Sequence, residues 1–260
     1  MKSNSPFDWH NLNHLSVSTI NSWVSNPSSL LYKIAGGEDQ AGPSAWRGSS
    51  AEIAFNKVME DPKQTDELYH DIALQSYDQR VIKGFTWEKI DKERSHLIDY
   101  VNAGIPFYKK RGQPSSYQKK IKVEFPELEV PFIGYIDFEF GEKGKKHEIR
   151  DCKTSIRRIN KISDANGRQL SLYQQGAGGD DTALWIDSVT RHEVVSLRLK
   201  NPKPYLDDLL HKALGFRKFL SISTDIEELL PMIQPDYDHW MWSNTESVKQ
   251  AKKIWEKKHG

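Results

Sequence analysis

The spacing of apolar residues changes from the helical period to strict alternation near residue 117, and this change constrains the fold more than any other feature. Three alternating, β-rich runs follow, with a glycine-bounded turn at 141–144 between the second and the third. A helical run at 164–179 then separates them from two further strand-like runs at 182–189 and 193–201. Helices, strands, a helix, strands and final helices predict an α/β fold, most simply a single domain.

Three stretches of the N-terminal part follow the helical period: residues 15–37, 48–61 and 66–110. The first is predicted as one helix with a serine cap. In the second, Ser49 or Ser50 is a suitable cap, which puts Glu52 in the first helical turn, where a helix dipole favours an ionised acid. In the third, we expect breaks near Gly84 and at 104–106.

The composition restricts the class of protein. Charged residues make up 28% and hydrophobic residues 37% of the 260 positions, which is typical of a globular enzyme and unlike a disordered chain. The single cysteine, Cys152, excludes an internal disulfide and fits a reducing compartment. We find no secretory leader pattern and no apolar run of about 20 residues. We therefore expect an intracellular, cytoplasmic protein, in the host cytoplasm if it is phage-encoded, without a membrane span.

The net charge of +1 does not identify a partner, but the charges are unevenly distributed. Basic residues cluster in the central third, at 109–111, 119–122, 145–146 and 157–158. Such runs most often form a solvated face. Beside acidic chemistry, they are also what a protein that binds a phosphate backbone requires. Both interpretations remain open at this point.

The alternating runs place two aspartates in strands, where aspartate is disfavoured. Folding the chain at 141–144 sets Asp137 opposite about residue 150, so that Asp137 and Asp151 share one face, with Lys153 next along the strand. Adjacent carboxylates repel unless they share a proton or a cation, and Mg²⁺ prefers such oxygen ligands. The alternative is an exposed ion pair between Asp151 and Lys153.

Five short motifs in this order resemble one nuclease superfamily. They are "LSVSTINSWVSNPSSLLYK", "RGSSAEIAF", "GYIDF", "DCKTS" and "GRQLSLYQ". The sequence is similar to the PD-(D/E)xK nuclease superfamily, in the branch of RecB-type nuclease domains and phage exonucleases, over about residues 15–200. The resemblance implies a restriction-endonuclease-like α/β core at about 45–200, with helical additions at 1–44 and 201–260.

The resemblance also implies a metal site. Its ligands would be Glu52, Asp137, Asp151 and the backbone carbonyl of Cys152, and its ion Mg²⁺ or Mn²⁺. Lys153 would complete the catalytic group by positioning the attacking water or stabilising the developing charge. Many relatives carry Glu where this chain has Asp151, and the shorter acid can change the preference among Mg²⁺, Mn²⁺ and Ca²⁺.

The expected DNA contacts lie around these acids. Gln169 and Tyr173, one helical turn apart, would face the site and touch a phosphate or a metal-bound water, although ordinary helix-surface packing also explains the pair. The remaining predicted contacts are Arg47, Ser49, Arg157 and Arg158.

One departure concerns the iron–sulfur cluster that four cysteines hold in some relatives. The first of these positions is Asn26-Pro27 here, and the C-terminal part has no cysteine. No such cluster is expected. Packing by Trp240, Trp242 and Trp255 is expected to hold the terminal segments instead.

These features together predict a metal-dependent deoxyribonuclease, most simply an exonuclease acting on linear DNA in phage or bacterial recombination or repair. The resemblance implies DNA ends, and a single-strand annealing or recombination protein, as partners. A structure-specific or restriction-like endonuclease is the alternative on the same fold, and a DNA-binding subunit without turnover is the third. A phosphate-cradling G-x-x-x-x-G-K-[ST] motif is absent, which disfavours an attached helicase. The oligomeric state is open.

Overall fold

The computed structural model describes residues 5–38, 41–81, 85–141, 147–177, 179–242 and 244–259. The helices of these residues are α1 (Pro6–Trp9), α2 (Val17–Ser25), α3 (Pro27–Ile34), α4 (Pro43–Glu60), α5 (Asp66–Asp78), α6 (Trp87–Lys109), α7 (Asp164–Ala177), α8 (Lys203–Leu220), α9 (Ile226–Leu229) and α10 (Thr245–His259). The strands are β1 (Ser116–Val123), β2 (Phe132–Phe140), β3 (Glu148–Thr154), β4 (Ala183–Val189) and β5 (Val194–Leu199).

The five strands form one mixed sheet in the order β1-β2-β3-β4-β5. Strands β2 and β3 are antiparallel, with Phe138 opposite Arg150, and β4 and β5 form the predicted antiparallel hairpin. Between these pairs, β3 and β4 run parallel, because helix α7 returns the chain to the end of the sheet at which β3 begins. The prediction of an α/β fold with a central sheet flanked by helices is confirmed. The turn predicted at 141–144 lies mostly outside the described residues.

The chain divides into two compact units. One consists of Met1–Gln40, Lys122–Gly134 and Lys203–Gly260, and the other of Ala41–Ile121 and Tyr135–Pro202. The second unit overlaps the core expected at about 45–200, except that 122–134 groups with the terminal segments. The single domain stays a prediction.

In the second unit, the core is built by α4, α5 and α6 and by the side chains of the sheet that face them. The rings of Phe55 on α4 and Tyr108 on α6 stack with centroids 4.5 Å apart, and Tyr108 also packs against Phe138 of β2. Cys152 of β3 is partly buried against the same cluster. This apolar contact fixes α4 beside the strands that carry the two aspartates.

Two predictions about these helices were wrong. Helix α6 continues through 104–106, because Gly104 serves close packing there: a Cβ at this position would lie 2.1 Å from Phe55 Cε1. Helix α4 begins at Pro43, whose fixed φ suits the first helical position, so neither serine is its cap. Glu52 therefore lies in the middle of α4, and the dipole argument for its charge does not apply. Gly84 is outside the described residues.

In the other unit, the predicted single helix at 15–37 is two helices. Ser16 caps α2 as expected, but Asn26 ends α2 and caps α3, whose first residue is Pro27. The C-terminal part packs on α3 through Trp242 and Trp255, which are buried in one cluster with Leu31 and Tyr32.

The expected packing role is thus confirmed for Trp242 and Trp255 and wrong for Trp240, which is 76% exposed. None of the described helices combines the length and the apolar character that crossing a membrane requires.

Candidate active site

The two strand aspartates lie next to each other where the β2–β3 ladder ends. The last paired residues are Phe138 and Arg150, so Asp137 and Asp151 occupy the next position. There the backbone N–H of Cys152 donates to Asp137 Oδ2 at 2.9 Å. Both acids are buried, with 8% of Asp137 and 0% of Asp151 exposed. The structure thus brings together the two carboxylates that the sequence pattern paired.

Asp151 lacks the hydrogen bonds that a buried carboxylate normally has. Among the described residues, no donor reaches either of its oxygens in hydrogen-bond geometry. Lys153 Nζ lies 2.6 Å from Asp151 Oδ2, so the two form an ion pair, although not a well-directed hydrogen bond. Burial raises the pKa of Asp151, and the nearby Lys153 opposes this shift only in part. The alternative of an exposed ion pair is wrong in its exposure: the pair is present, but Asp151 is fully buried and the Lys153 side chain is 31% exposed.

Helix α4 adds a third acid to the same cluster. Burial raises the pKa of Glu52 to about 7, a hydrogen bond from Gln118 opposes the rise, and the charge of Asp151 adds to it. Burial raises the pKa of Asp137 as well, and the charges of Asp151 and Glu52 contribute next. Asp137 and Asp151 are buried and Glu52 is half-buried, and each acid lies close to another carboxylate, so all three resist ionisation in the metal-free protein.

The positive charge of the cluster comes from Lys153. Burial lowers the pKa of its amine, but the charges of Asp151 and Asp137 outweigh burial and raise it. The cluster contains one ammonium group and three carboxyl groups. If all three acids ionise, a further positive charge is needed to balance them.

The cluster fits a divalent, oxygen-seeking cation by ligand type, because its acids offer carboxylate oxygens. The described side chains are not arranged as a ready site, because no group of three or more His, Cys, Asp or Glu residues has the geometry to hold an ion. Gln118 contacts Glu52, and Lys153 contacts Asp151, so a bound ion would compete with both contacts. The role of the Cys152 carbonyl stays a prediction.

Helix α7 brings a tyrosine to the acids. Burial raises the pKa of Tyr173, and the charges of Asp151 and Asp137 raise it further, which indicates their proximity. Gln169 Nε2 donates to the Tyr173 hydroxyl at 2.6 Å, so the pair one helical turn apart acts as one unit. Their contact with DNA stays a prediction.

The four other predicted DNA contacts differ in exposure. Arg157 and Arg158 are exposed just past the end of β3, and Ser49 is exposed on α4. Arg47, in contrast, is buried: it forms an ion pair with Glu93 and lies over the ring of Tyr100. The expectation of an accessible Arg47 was wrong, because its guanidinium is held by interior partners.

Sequence reasoning missed Gln118 and Tyr117, which both contact Glu52. They lie in a run of strand-forming residues with no motif, and their only sign is the backbone: Gln118 has φ +50°, in the left-handed region. No sequence pattern announces such a conformation at a glutamine.

A second polar cluster lies two residues along β2 from Asp137. Glu139 is buried and accepts hydrogen bonds from Ser116, Lys119 and His147. His147 in turn contacts Thr182. Burial would raise the pKa of Glu139, but the donors outweigh burial and lower it. This acid is therefore ionised and satisfied within the protein.

The comparisons with known proteins bear on the fold. No protein-family profile matches the chain, and no curated protein matches it in sequence. A crystal structure from Eubacterium rectale, named "putative exonuclease", superposes with a TM-score of 0.52 at 14% identity, over 91% of this chain and 89% of that one. A second structure, SSO0001, aligns at a TM-score of 0.34 and 12% identity, over 65% and 74% of the two chains, which is too weak to use. The chain thus shares the fold of the Eubacterium rectale protein.

Proposed function

We propose that the protein is a divalent-metal-dependent deoxyribonuclease of the PD-(D/E)xK type. The observation that carries the proposal is Asp151: it is fully buried beside Asp137, and among the described residues its oxygens have an ion pair with Lys153 but no well-directed hydrogen bond. An arrangement that leaves a buried carboxylate unsatisfied is costly for folding and is common where a ligand completes it. Mg²⁺ or Mn²⁺ bound there would neutralise the acids, lower the pKa of a bound water and polarise a phosphodiester.

The residues of the chain have separable roles in this proposal. Glu52, Asp137 and Asp151 hold the cation. The ammonium group of Lys153, at the partly exposed rim of the cluster, stabilises the negative charge that develops on the phosphate oxygens or on the attacking water. The Gln169–Tyr173 unit orients a phosphate or a water from the α7 side. Arg157 and Arg158 contact the backbone beyond the cleaved bond.

An exonuclease acting on linear DNA, in phage or bacterial recombination or repair, is the proposed activity. The name of the Eubacterium rectale protein and the resemblance of the motifs support this choice over an endonuclease. DNA ends would be the substrate, and a single-strand annealing or recombination protein the partner.

The test is cleavage of end-labelled single- and double-stranded linear DNA and of a closed circle, in Mg²⁺ or Mn²⁺ and in a chelator. Mononucleotides from linear DNA, with an intact circle, are the expected result. Nicks in the circle would favour the endonuclease. Loss of cleavage in Asp151→Asn, but not in the surface control Asp164→Asn, would assign the activity to the cluster, and no cation-dependent cleavage of any substrate would contradict the proposal.

A further inference from the structure

Strand β1 is irregular at Gln118, next to the acids. Gln118 has φ +50°, a conformation that is strained for a residue with a side chain. Its neighbours Ser116 and Lys119 both donate to Glu139, although they are three positions apart and residues two apart share a face in a regular strand. This spacing, together with the left-handed backbone at Gln118, is typical of a β-bulge, which turns a side chain out of the regular pattern.

The bulge directs the side chain of Gln118 to two acids from different elements. Its amide nitrogen donates to Glu52 Oε1 of α4 and lies 3.4 Å from Asp137 Oδ1 of β2. The amide nitrogen of Gln118, with its two N–H donors, is the atom that faces both acids, and carboxylate oxygens accept such hydrogen bonds. A single donor group thus spans two acids that repel each other whenever both are ionised.

We propose that Gln118 is a positioning residue that stands in for the divalent cation: its amide holds Glu52 beside Asp137 until the cation displaces it. The inference rests on the proposed metal site and adds a role for a residue outside the predicted motifs. Because Gln118 is exposed, its side chain can leave the acids without breaking a core contact. The strained backbone at Gln118 then contributes to this positioning role, since it keeps the amide directed at the acids in the metal-free protein.

A stand-in makes a prediction that a merely structural residue does not. Its hydrogen bonds exist in the metal-free state and are given up when the cation binds, so removing them destabilises only the metal-free state. The variant without the amide should therefore bind the cation more tightly than the wild type, and should be less stable only when the cation is absent.

The experiment follows thermal unfolding of the wild type, Gln118→Ala and Gln118→Glu in chelator and in increasing Mg²⁺, without DNA. We expect the melting temperature of Gln118→Ala to be lower by about 3 °C in chelator and equal to that of the wild type at saturating Mg²⁺. Half-saturation should need roughly threefold less Mg²⁺. Gln118→Glu, which replaces the donor by a fourth carboxylate, should show a larger deficit in chelator and a larger recovery.

Two controls test the specificity of the effect. Gln113→Ala changes an exposed glutamine before β1 and should alter neither the melting temperature nor the response to Mg²⁺. In a Glu52→Gln background, Gln118→Ala should lose most of its effect, because the acid that the amide holds is absent.

An equal deficit of Gln118→Ala in chelator and in Mg²⁺, or a weaker affinity for Mg²⁺, would overturn the role of Gln118 and leave the proposed function standing. A wild type whose melting temperature responds to neither Mg²⁺ nor Mn²⁺ would overturn both. A wild type that responds to the cation but cleaves no DNA would overturn the nuclease proposal alone.

Discussion

Asp137 and Glu139 lie two residues apart on β2, and both are buried, but their hydrogen-bond donors and the directions of their pKa shifts differ. Glu139 receives donors from Ser116, Lys119 and His147, and its pKa is lowered. Asp137 receives one backbone N–H and a distant amide, beside another buried aspartate, and its pKa is raised. Both side chains are shielded from solvent, but Asp137 lies deeper in the protein, so its burial, its few donors and the neighbouring charges together make the difference.

The contrast distinguishes an acid whose carboxylate receives its hydrogen bonds within the fold, Glu139, from one that receives few of them, Asp137. A satisfied carboxylate stabilises the folded chain, whereas Asp137 and Asp151 add repulsion that only a proton or a cation relieves. The same strand therefore contains a structural acid and a candidate catalytic acid, and measurements on each can be compared directly.

The largest expected effect is on activity. Asp137→Asn keeps an acceptor for the Cys152 N–H but removes a charge, so cleavage should fall by about three orders of magnitude or more. The free energy of unfolding of the metal-free protein should stay equal or rise by about 1 kcal/mol. Glu139→Gln should do the reverse, with cleavage kept and about 1–3 kcal/mol of stability lost. Turnover of Asp137→Asn within threefold of the wild type would remove the proposed site, as kinetics and chemical denaturation will show.

Lys153→Ala comes next. Loss of the ammonium group should slow cleavage by about 10²–10³-fold while DNA binding is nearly kept. Because Lys153 is the counter-charge of the buried Asp151, the metal-free variant should also be less stable, and Asp151→Asn in the same chain should restore stability but not cleavage. Single-turnover rates and binding titrations measured together decide the point. A variant that loses binding and keeps its rate would reverse the assigned roles.

The pH dependence of stability should distinguish the two clusters. The pKa of Glu52 is raised from 4.5 to about 7, so its protonation stabilises the folded chain fully below 4.5 and no longer does so above about 7. The metal-free protein should therefore lose stability as the pH rises through that window, and Glu52→Gln should flatten the loss. Glu139, with a lowered pKa, contributes stability above 4.5 that is lost only in more acidic solution. Denaturation at several pH values in chelator measures both, and an unchanged slope in Glu52→Gln would return this acid to an ordinary surface role.

The smallest effect concerns the exposed arginines after β3. Replacing Arg157 and Arg158 by alanine should weaken DNA binding regardless of sequence and reduce the slope of log K against log salt by about 0.7–0.9 per lost phosphate contact. Arg158 gives up only a loose, exposed pair with Glu193, so the fold should be unaffected. Affinities at several salt concentrations provide the measurement, and an unaltered slope would exclude both residues from the DNA path.

Much of the core could be predicted because its signals are local. The alternation of β2 and β3 and the glycine-bounded turn between them fixed the neighbouring positions of Asp137 and Asp151 to within a residue. What failed depended on partners distant in sequence. Gly104 looks like a helix break until Phe55, 49 positions away, packs against it. The start of α4 is a different case: Pro43 is a local signal, and the serine cap was chosen over it.

The site could be predicted only in part, because some of its residues are in local sequence motifs and others are placed by tertiary contacts. The acids are in recognisable motifs, but Gln118 is defined by a backbone angle and Arg47 is buried by Glu93, 46 positions away. Neither fact can be read from the residues around them, because both arise from tertiary packing.

The close approach at Gly104 has a consequence for the acid on α4. Phe55 and Glu52 are three residues apart on α4, so they lie on neighbouring parts of the helix surface. The packing of Phe55 against Gly104 therefore also determines where the Glu52 carboxylate lies relative to Asp137 and Asp151. Any side chain at 104 would overlap the Phe55 ring, so the ring, or the helix that carries it, would have to shift. A displacement of about 1 Å is enough to disable catalytic geometry. The alignment of the carboxylates therefore depends on the absence of a side chain at Gly104 of α6. A Gly104→Ala substitution, which adds no reactive group, would affect the active site.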